Sequence, residues 1–309
     1  MAERRALAAG ERARIVVTGA TGFIGGALLP ALEARGWSVA RVVRSAASAR
    51  DGDIVWDPAG GVVDAAQLDG VDAVVHLAGE PIAQRWSAEA KRRIRESRVQ
   101  GTRTLVRTIA RLDRPPRVLV SASAIGVYGD RGDELLDESS PPGRDFLAEV
   151  ARAWESEAAG AASARTRVVS PRFGIVLAER GGALAKMLPA FRLGGGGRLG
   201  DGRQWMSWVS LDDLVASIVF ALEHEELEGA VNVVAPNPVT NAEFTDTLGR
   251  VLGRPTLVHV PAFALRLMFG EMADATLLAS QRVAPRRLEG AGFRFRHARL
   301  EEALRAALA

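Results

Sequence analysis

No cysteine occurs among the 309 residues of the sequence. Its absence excludes disulfides, thiolate nucleophiles, iron–sulfur clusters and cysteine-ligated zinc. The four histidines, at positions 76, 224, 259 and 297, lack the spacing of metal ligands, so no metal is predicted. No apolar run approaches the ~18–20 residues that span a bilayer, and no membrane partner is expected. We therefore expect a cytoplasmic protein.

Lysine and tyrosine are scarce as well. The sequence has 40 basic residues, but only Lys91 and Lys186 are lysines, and Tyr128 is its one tyrosine. The net charge is +3, so the isoelectric point near 10.0 reflects the use of arginine in place of lysine. Because the basic residues are dispersed among acidic ones, solvated helix faces explain them better than a nucleic-acid surface, and no nucleic-acid partner is predicted.

The first half of the sequence is a regular alternation of apolar and amphipathic segments. Strand patterns occur at 15–18, 39–43, 54–56, 72–77, 117–121 and 167–170, and helical patterns at 24–32, 87–111 and 146–162. Continuous apolar strands separated by helices are typical of a parallel sheet covered on both faces. The predicted fold class is therefore α/β, a doubly wound, mostly parallel Rossmann sheet with a smaller mixed α/β C-terminal lobe.

The second half is less regular. Glycines crowd residues 194–202, and because no strand precedes them a mobile flap is favoured over a phosphate-binding loop. Thr240 and Glu243 have the spacing of a capping box at a helix start. Further strands are predicted at 206–210 and 231–234, and helices at 211–223, 241–252, 262–270 and 298–308.

A glycine-spaced turn follows the first predicted strand. Gly19, Gly22 and Gly25 stand between a strand and a helix, the context in which this spacing indicates dinucleotide binding. The first glycine permits a tight turn, the second lets backbone N–H groups approach a pyrophosphate, and the third lets the helix pack on the strand. The predicted contacts of the dinucleotide are Gly19, Thr21, Gly22, Phe23, Ile24 and Gly25.

Further segments stand in the order typical of one protein family. They are residues 18–25, 76–79, 97–102 and 127–129, together with 53–57, 79–82, 85–86, 174–177, 208, 212–213 and 241–244. With them the chain resembles the extended short-chain dehydrogenase/reductases from about residue 14 to 308. More narrowly, it is similar to the atypical subgroup called epimerase family proteins. The resemblance implies that Leu77, Ala78, Gly79 and Arg98 contact the cofactor, with an inter-element salt bridge as the alternative for Arg98.

The end of the second predicted strand indicates the cofactor. Rossmann domains that prefer NAD place an acid there for the ribose 2′-hydroxyl, whereas NADP-preferring domains place an arginine for the 2′-phosphate. This chain has Arg44 followed by Ser45, and a guanidinium can bind a phosphate with two parallel hydrogen bonds. We therefore predict NADP(H), bound through Arg44 and Ser45; a solvated arginine is the alternative.

The domain prediction follows from these assignments. Residues 1–13 are expected to form a disordered tail. Residues 14–178 and 206–236 form the NADP-binding Rossmann domain, and residues 179–205 and 237–309 form the substrate lobe. The oligomeric state is unknown at this point.

A catalytic pair of the superfamily is missing. Typical members carry Tyr-x-x-x-Lys on the helix after the fifth strand, where the ammonium lowers the pKa of the phenol that exchanges a proton during hydride transfer. With Glu155 as the family's acid, the two positions are Leu147 and Ala151. The position of the family's serine is Ala124, with Ser123 one residue earlier. The resemblance therefore implies fold and ancestry rather than sugar epimerisation.

Two polar residues after the fifth strand are the catalytic candidates. Ser123 is placed to hydrogen-bond a substrate, and Tyr128 to act as an acid–base group. The alternative for Tyr128 is packing beneath the cofactor site. His76, within an apolar strand end, is interpreted as a core histidine rather than a base.

Three residues are predicted to line the substrate pocket. Arg172 would suit an anionic substrate, Glu80 follows the fourth strand, and Trp208, with Asp212, would close the pocket. Glu80 has helix capping or a surface loop as its alternative. Asp212 has the first turn of a helix as its alternative.

Two functions from different classes remain open. The first is an NADP(H)-dependent oxidoreductase acting on a small-molecule substrate, with the proton supplied by water or the substrate itself. The second is a non-catalytic NADP(H)-binding redox sensor or scaffold, favoured by the loss of the pair. A nucleotide-sugar epimerase or dehydratase is the weaker third, because it needs the missing base.

Overall fold

The computed structural model of the protein describes residues 6–8, 10–56 and 64–309. The strands are β1 (Arg14–Thr18), β2 (Ser38–Val43), β3 (Ile54–Val55), β4 (Ala73–His76), β5 (Val118–Ser121), β6 (Ser123–Ala124), β7 (Leu135–Leu136), β8 (Arg167–Phe173), β9 (Ile175–Leu177), β10 (Gly197–Leu199), β11 (Trp205–Met206), β12 (Trp208–Ser210), β13 (Gly229–Val233), β14 (Val239–Thr240), β15 (Val258–Val260) and β16 (Arg282–Val283). The helices are α1 (Phe23–Glu33), α2 (Ala65–Leu68), α3 (Ala88–Ile109), α4 (Phe146–Ala159), α5 (Gly182–Arg192), α6 (Leu211–Glu223), α7 (Asn241–Leu252), α8 (Ala262–Phe269), α9 (Arg286–Gly290) and α10 (Leu300–Leu308). No helix in these ranges is long and apolar enough to cross a membrane.

The main sheet is parallel and has the order β13-β8-β5-β4-β1-β2-β3, with the short β6 pairing beside it onto β8. The chain runs outward from β1 to β3 and then returns to β4 on the other side of β1. This reversal makes a topological switch point between β1 and β4, where ligands bind at the carboxyl ends of the strands. The predicted fold class is confirmed.

Successive side chains along each strand point to opposite faces of the sheet and pack in a core on each face. Ile15 and Val17 of β1 face a core that includes residues of α1 and α6. Val16, between them, faces a second core with residues of α3 and α4. Because every second side chain points to the same face, a strand buried on both sides must be apolar throughout, which explains the continuous apolar segments of the sequence.

A third core lies outside the sheet and joins α5, α7 and α10. Leu184 and Phe244 are almost wholly buried in it, and so is Trp208 of β12. The start of α7 carries the predicted capping box: Thr240 Oγ1 accepts from Glu243 N at 3.3 Å, and Glu243 Oε2 accepts from Thr240 N at 2.7 Å. The division into a cofactor domain and a substrate lobe stays a prediction.

The predicted tail is partly packed. Leu7 is 1% exposed and its amide donates to Leu222 O at 3.2 Å, and Glu11 forms an ion pair with Arg117 at 2.8 Å. These residues pack on the folded part of the chain, because Leu7 occupies an apolar site beside α6, while the disordered tail as a whole stays a prediction. Residues 1–5 and 9 of the tail, and residue 57 of the family segment 53–57, lie outside the described residues.

The predicted glycine flap also contains regular structure. Residues 197–199 form β10, which pairs in parallel with β15. A side chain at Gly197 would begin 1.8 Å from Val258 O, so the backbones approach closely because that position is glycine. Sequence analysis missed this strand, since its ladder partner lies about 60 residues away in sequence, beyond the reach of local pattern; the mobility of the stretch stays a prediction.

Candidate active site

The glycine turn between β1 and α1 is packed as tightly as its spacing predicts. Gly19 has φ +68°, and a Cβ there would lie 2.8 Å from the carbonyl carbon of Leu77. A Cβ at Gly25 would lie 2.3 Å from Gly19 O. The first glycine therefore lets the turn touch the backbone after β4, and the third lets α1 pack against the turn.

The N-terminus of α1 faces the switch point without a side-chain cap. Its N-cap is Gly22, which supplies no side-chain acceptor for the amides of the first turn. Such amides are donors that a phosphate can satisfy, and the helix dipole favours negative charge there. We use the term crevice for the space between this turn, residues 19–25, and the loop after β4, residues 77–83.

A chain of buried polar side chains links β1, β4 and α3 next to the crevice. His76 Nδ1 lies 2.6 Å from Thr18 Oγ1, and its Nε2 lies 3.1 Å from Thr102 Oγ1 on α3. Thr18 Oγ1 also accepts from Ala78 N at 3.3 Å. Burial lowers the pKa of His76 to about 4, so the ring is neutral at physiological pH. The interpretation of His76 as a core histidine is confirmed.

The end of β2 presents an accessible cation. Arg44 is exposed and has no hydrogen bond or ion pair with another residue of the described ranges. The nearby acid is already engaged: Asp53 Oδ1 accepts from Arg41 Nε at 2.9 Å, and this contact holds the pKa of Asp53 below its usual range. Ser45 Oγ accepts from Ala47 N at 3.2 Å and caps a short 3₁₀ turn.

Arg98 of α3 reaches the loop after β4. Its Nη1 donates to Glu80 O at 2.9 Å, and its Cζ would lie 3.2 Å from a Cβ at Gly79. The guanidinium also lies 5.2 Å from the centroid of the Trp154 ring. Burial lowers the pKa of Arg98 to about 10, which still leaves it protonated. Its bonds within the described structure go to carbonyls, so the predicted alternative of a direct salt bridge is not observed.

The two catalytic candidates and Arg172 meet in one buried network with two further residues. Arg172 Nε and Nη2 both donate to the carboxylate of Glu155 at 2.8 Å. Ser123 Oγ donates to Glu155 Oε1 at 2.6 Å. The hydroxyl of Tyr128 donates to Asn232 Oδ1 at 2.7 Å and accepts from Arg172 Nη1 at 2.9 Å.

This network alters the interpretation of all three predicted residues. Tyr128 is 0% exposed, and burial raises its pKa, which is the opposite direction from the shift that activates a catalytic tyrosine. Ser123 is 2% exposed and bonded to an acid. Arg172 carries a fork-to-fork ion pair that neutralises its charge. These contacts support the alternative that Tyr128 packs beneath the site, and they leave Arg172 no free charge for a substrate.

The other predicted pocket residues lie apart. Trp208 is 0% exposed and its Nε1 donates to Asn237 O at 3.1 Å, so its predicted place in the pocket wall is wrong: the third core buries it. Asp212 is exposed in the first turn of α6, where Ser210 is the N-cap. Glu80 is half-buried at the crevice, where its Oε1 accepts from Gln84 Nε2 at 3.4 Å. Within the described ranges no group of acidic and histidine side chains could hold a metal ion.

Apolar groups occupy the place of the missing pair. Leu147 Cβ would lie 3.5 Å from a Cβ at Gly126, so the leucine lies directly beside the chain that leaves β5. Phe146, at the start of α4, meets the ring of Trp86 edge to face at 5.2 Å between centroids. Trp86 Nε1 donates to Ile82 O at 2.9 Å. The chain that follows β5 is therefore bordered by the aliphatic Leu147, and an aromatic pair lies at the start of the same helix, α4.

Sequence reasoning missed the two partners that complete the network. Glu155 was predicted only as the family's acid, although its spacing from the buried Ala151 and Ala158 places it on the inward face of α4. Asn232 lies inside the apolar strand β13, and a polar residue within an apolar strand signals a buried hydrogen-bond partner. Neither signal indicates which residue is the partner.

Family comparisons agree with this architecture. A model of the NAD dependent epimerase/dehydratase family matches residues 15–234. A domain of unknown function, DUF1731, matches residues 260–307.

Among curated relatives, an epimerase family protein of Mycobacterium leprae is 41% identical over 297 residues, which is 96% of each chain. The chloroplastic SDR39U1 homolog of Arabidopsis thaliana is 42% identical over 94% of this chain and 86% of the relative. The prediction of a cytoplasmic location therefore stays a prediction.

Solved structures extend the likeness. The crystal structure of human epimerase family protein SDR39U1 with NADPH has a TM-score of 0.86 and 35% identity, and the match covers 95% of this chain and 98% of that one. A nucleoside-diphosphate sugar epimerase from Corynebacterium glutamicum has a TM-score of 0.79 and 38% identity, over 97% of this chain and 59% of that one.

Proposed function

The chain belongs to the NAD dependent epimerase/dehydratase family, as an atypical extended short-chain dehydrogenase/reductase, and we propose that it binds NADPH in the crevice as an oxidoreductase of a small molecule. The observation that carries the proposal is the close backbone packing of the glycine turn at Gly19 and Gly25, which brings the uncapped N-terminus of α1 to the switch point beside the loop after β4. The NADPH named with the human relative, 35% identical to this chain, supports the choice of cofactor.

Each cofactor-binding role falls to a residue that fits it. The amides of residues 23–25 would hold the pyrophosphate, and the exposed Arg44 with Ser45 would hold the 2′-phosphate. The backbone of residues 77–79 would border the cofactor, with Arg98 beneath it as a half-buried positive charge. When bound, NADPH supplies the hydride. Because Tyr128 is buried and Leu147 is apolar, water or a substrate group supplies the proton.

Arg44 is expected to set the preference between the two dinucleotides. The wild type should bind NADPH at least about tenfold more tightly than NADH, because the exposed guanidinium can bind the 2′-phosphate. Arg44→Ala should remove that difference and leave the affinity for NADH within about twofold. Fluorescence titration of the wild type and the variant with both dinucleotides gives the dissociation constants. Tighter binding of NADH than NADPH by the wild type would overturn the cofactor assignment.

A second candidate function is supported by the same site. The catalytic positions hold Leu147 and Ala124, and the polar residues nearby are engaged with one another. A protein with that arrangement could bind NADPH as a redox sensor or scaffold without turnover. A sugar epimerase is disfavoured by the same positions, since no described side chain there can accept a proton from a sugar hydroxyl.

A substrate panel distinguishes the enzyme from the sensor. We expect NADPH absorbance to decay with at least one member of a set of carbonyls, imines and enones. Apolar members should be favoured, because the apolar Leu147 lies beside the chain that follows β5. Tight NADPH binding with no turnover across the panel would reject the oxidoreductase in favour of the sensor. A heat-inactivated sample controls for uncatalysed reduction.

A further inference from the structure

Helix α5 and its N-cap contact both sides of the crevice. At its start, a Cβ on Gly181 would lie 2.4 Å from the ring of Phe23, so this glycine rests on the phenyl group that follows the glycine turn. One turn further, Lys186 Nζ donates to Ala83 O at 3.1 Å. Phe23 is the first residue of α1 and part of the glycine turn (residues 19–25), and Ala83 belongs to the loop after β4. An element that contacts both must span the space between them.

Lys186 brings an uncompensated positive charge to that position. Its side chain is exposed, and its one bond within the described ranges is to a neutral carbonyl. The acid in the same loop, Glu80, interacts with other residues: Gln84 Nε2 at 3.4 Å and Arg93 Nε at 3.6 Å. An ammonium has three donors, so two remain for another acceptor.

The other lysine is different in this respect. Lys91 of α3 also links to the C-terminal part of the chain, but it does so through an ion pair with Glu271. It also lies 5.0 Å from the centroid of the Phe146 ring. Its charge is therefore compensated within the protein. Lys91 is the matched comparison for Lys186, because both are lysines and both connect the loops around the sheet to later parts of the chain.

We propose that Lys186 is a further cofactor-binding residue that contacts the pyrophosphate from the side opposite the glycine turn. The inference rests on the proposed NADPH binding. The pyrophosphate is the group expected between the loops after β1 and β4, because a dinucleotide crosses a Rossmann sheet at the switch point. The amides of the glycine turn and the ammonium of Lys186 then hold the same two phosphates from both sides. Because Lys186 belongs to α5, this contact connects the third core to the cofactor.

Lys186→Met should weaken the binding of NADPH and NADH by the same factor, about tenfold, because both dinucleotides contain the pyrophosphate. Arg44→Ala should weaken the binding of NADPH alone. Lys186→Arg should restore affinity to within about threefold, since it keeps the charge. The dependence of the dissociation constant on salt should also become shallower in Lys186→Met, because one screened charge is lost. Fluorescence titration at three ionic strengths gives all of these values.

Lys91→Met is the control and should change neither affinity by more than about twofold. If the wild type binds neither dinucleotide, the proposed function fails, whatever Lys186 does. If the wild type binds and Lys186→Met binds equally well, the inference about Lys186 is wrong and its bond to Ala83 is only structural. A loss confined to NADPH would assign Lys186 to the 2′-phosphate and would also overturn the pyrophosphate assignment.

Discussion

Replacing Gly25 with alanine is expected to abolish measurable NADPH binding and to destabilise the fold. The new methyl group would lie 2.3 Å from Gly19 O and 2.7 Å from Ala20 Cα, and both are backbone atoms that no rotamer change can move. Either α1 must shift away from β1 or the turn must open. We expect an affinity loss of at least about 100-fold and a decrease of about 3 kcal/mol in the free energy of unfolding.

Gly26→Ala is the matched control, one residue further along the same helix. A Cβ at Gly26 meets nothing within 4 Å, and the residue has ordinary helical backbone geometry. Alanine there should leave affinity unchanged and raise the free energy of unfolding by about 0.5–1 kcal/mol. Urea denaturation and NADPH titration of both variants test the pair. Equal binding of NADPH by Gly25→Ala and the wild type would show that the glycine turn does not hold the cofactor.

Replacing Arg172 with methionine is expected to lower the free energy of unfolding by about 3 kcal/mol, although no substrate contact is removed. The variant leaves the Glu155 carboxylate without its two 2.8 Å hydrogen bonds and removes the donor to the Tyr128 hydroxyl. A mostly buried carboxylate without a cation is costly. The double variant Arg172→Met with Glu155→Leu should regain most of the loss, since the uncompensated charge is then gone too.

The exposed ion pair between Arg192 and Glu179 is the comparison for this buried one. Its two side chains are 52% and 44% exposed, so Arg192→Met should cost less than about 0.5 kcal/mol. Urea denaturation of Arg172→Met, the double variant and Arg192→Met gives the change in the free energy of unfolding for each. If Arg172→Met instead unfolds like the wild type but loses turnover of anionic substrates in particular, the arginine is a substrate ligand, as the sequence first indicated.

The glycine turn could be predicted from sequence because its causes are local. Gly19, Gly22 and Gly25 act within seven consecutive residues, and the strand and helix on either side are each apparent from their own periodicity. The same holds for the capping box at Thr240, whose partner is three residues away. Interactions between residues a few positions apart depend only on local backbone geometry, so the same short sequence pattern gives the same local structure.

The network around Arg172 could not be predicted, because its members are brought together by strand register. Ser123 lies beside Arg172 only because β6 pairs with β8. Asn232 reaches Tyr128 from 104 positions further along the chain. A sequence shows that these groups are polar and near the ends of strands. It does not show which of them will form hydrogen bonds or ion pairs with one another.

Local pattern was thus sufficient for the strand–turn–helix unit, the parallel sheet and the absence of the tyrosine–lysine pair. Packing in three dimensions decided the rest: Trp208 is buried in the third core, Arg172 is neutralised by Glu155, and Lys186 donates to the carbonyl of Ala83 with no acidic partner in the described structure. The reason is physical. Backbone conformation follows from neighbours in the chain, whereas the burial and charge of a side chain follow from whatever the fold brings against it.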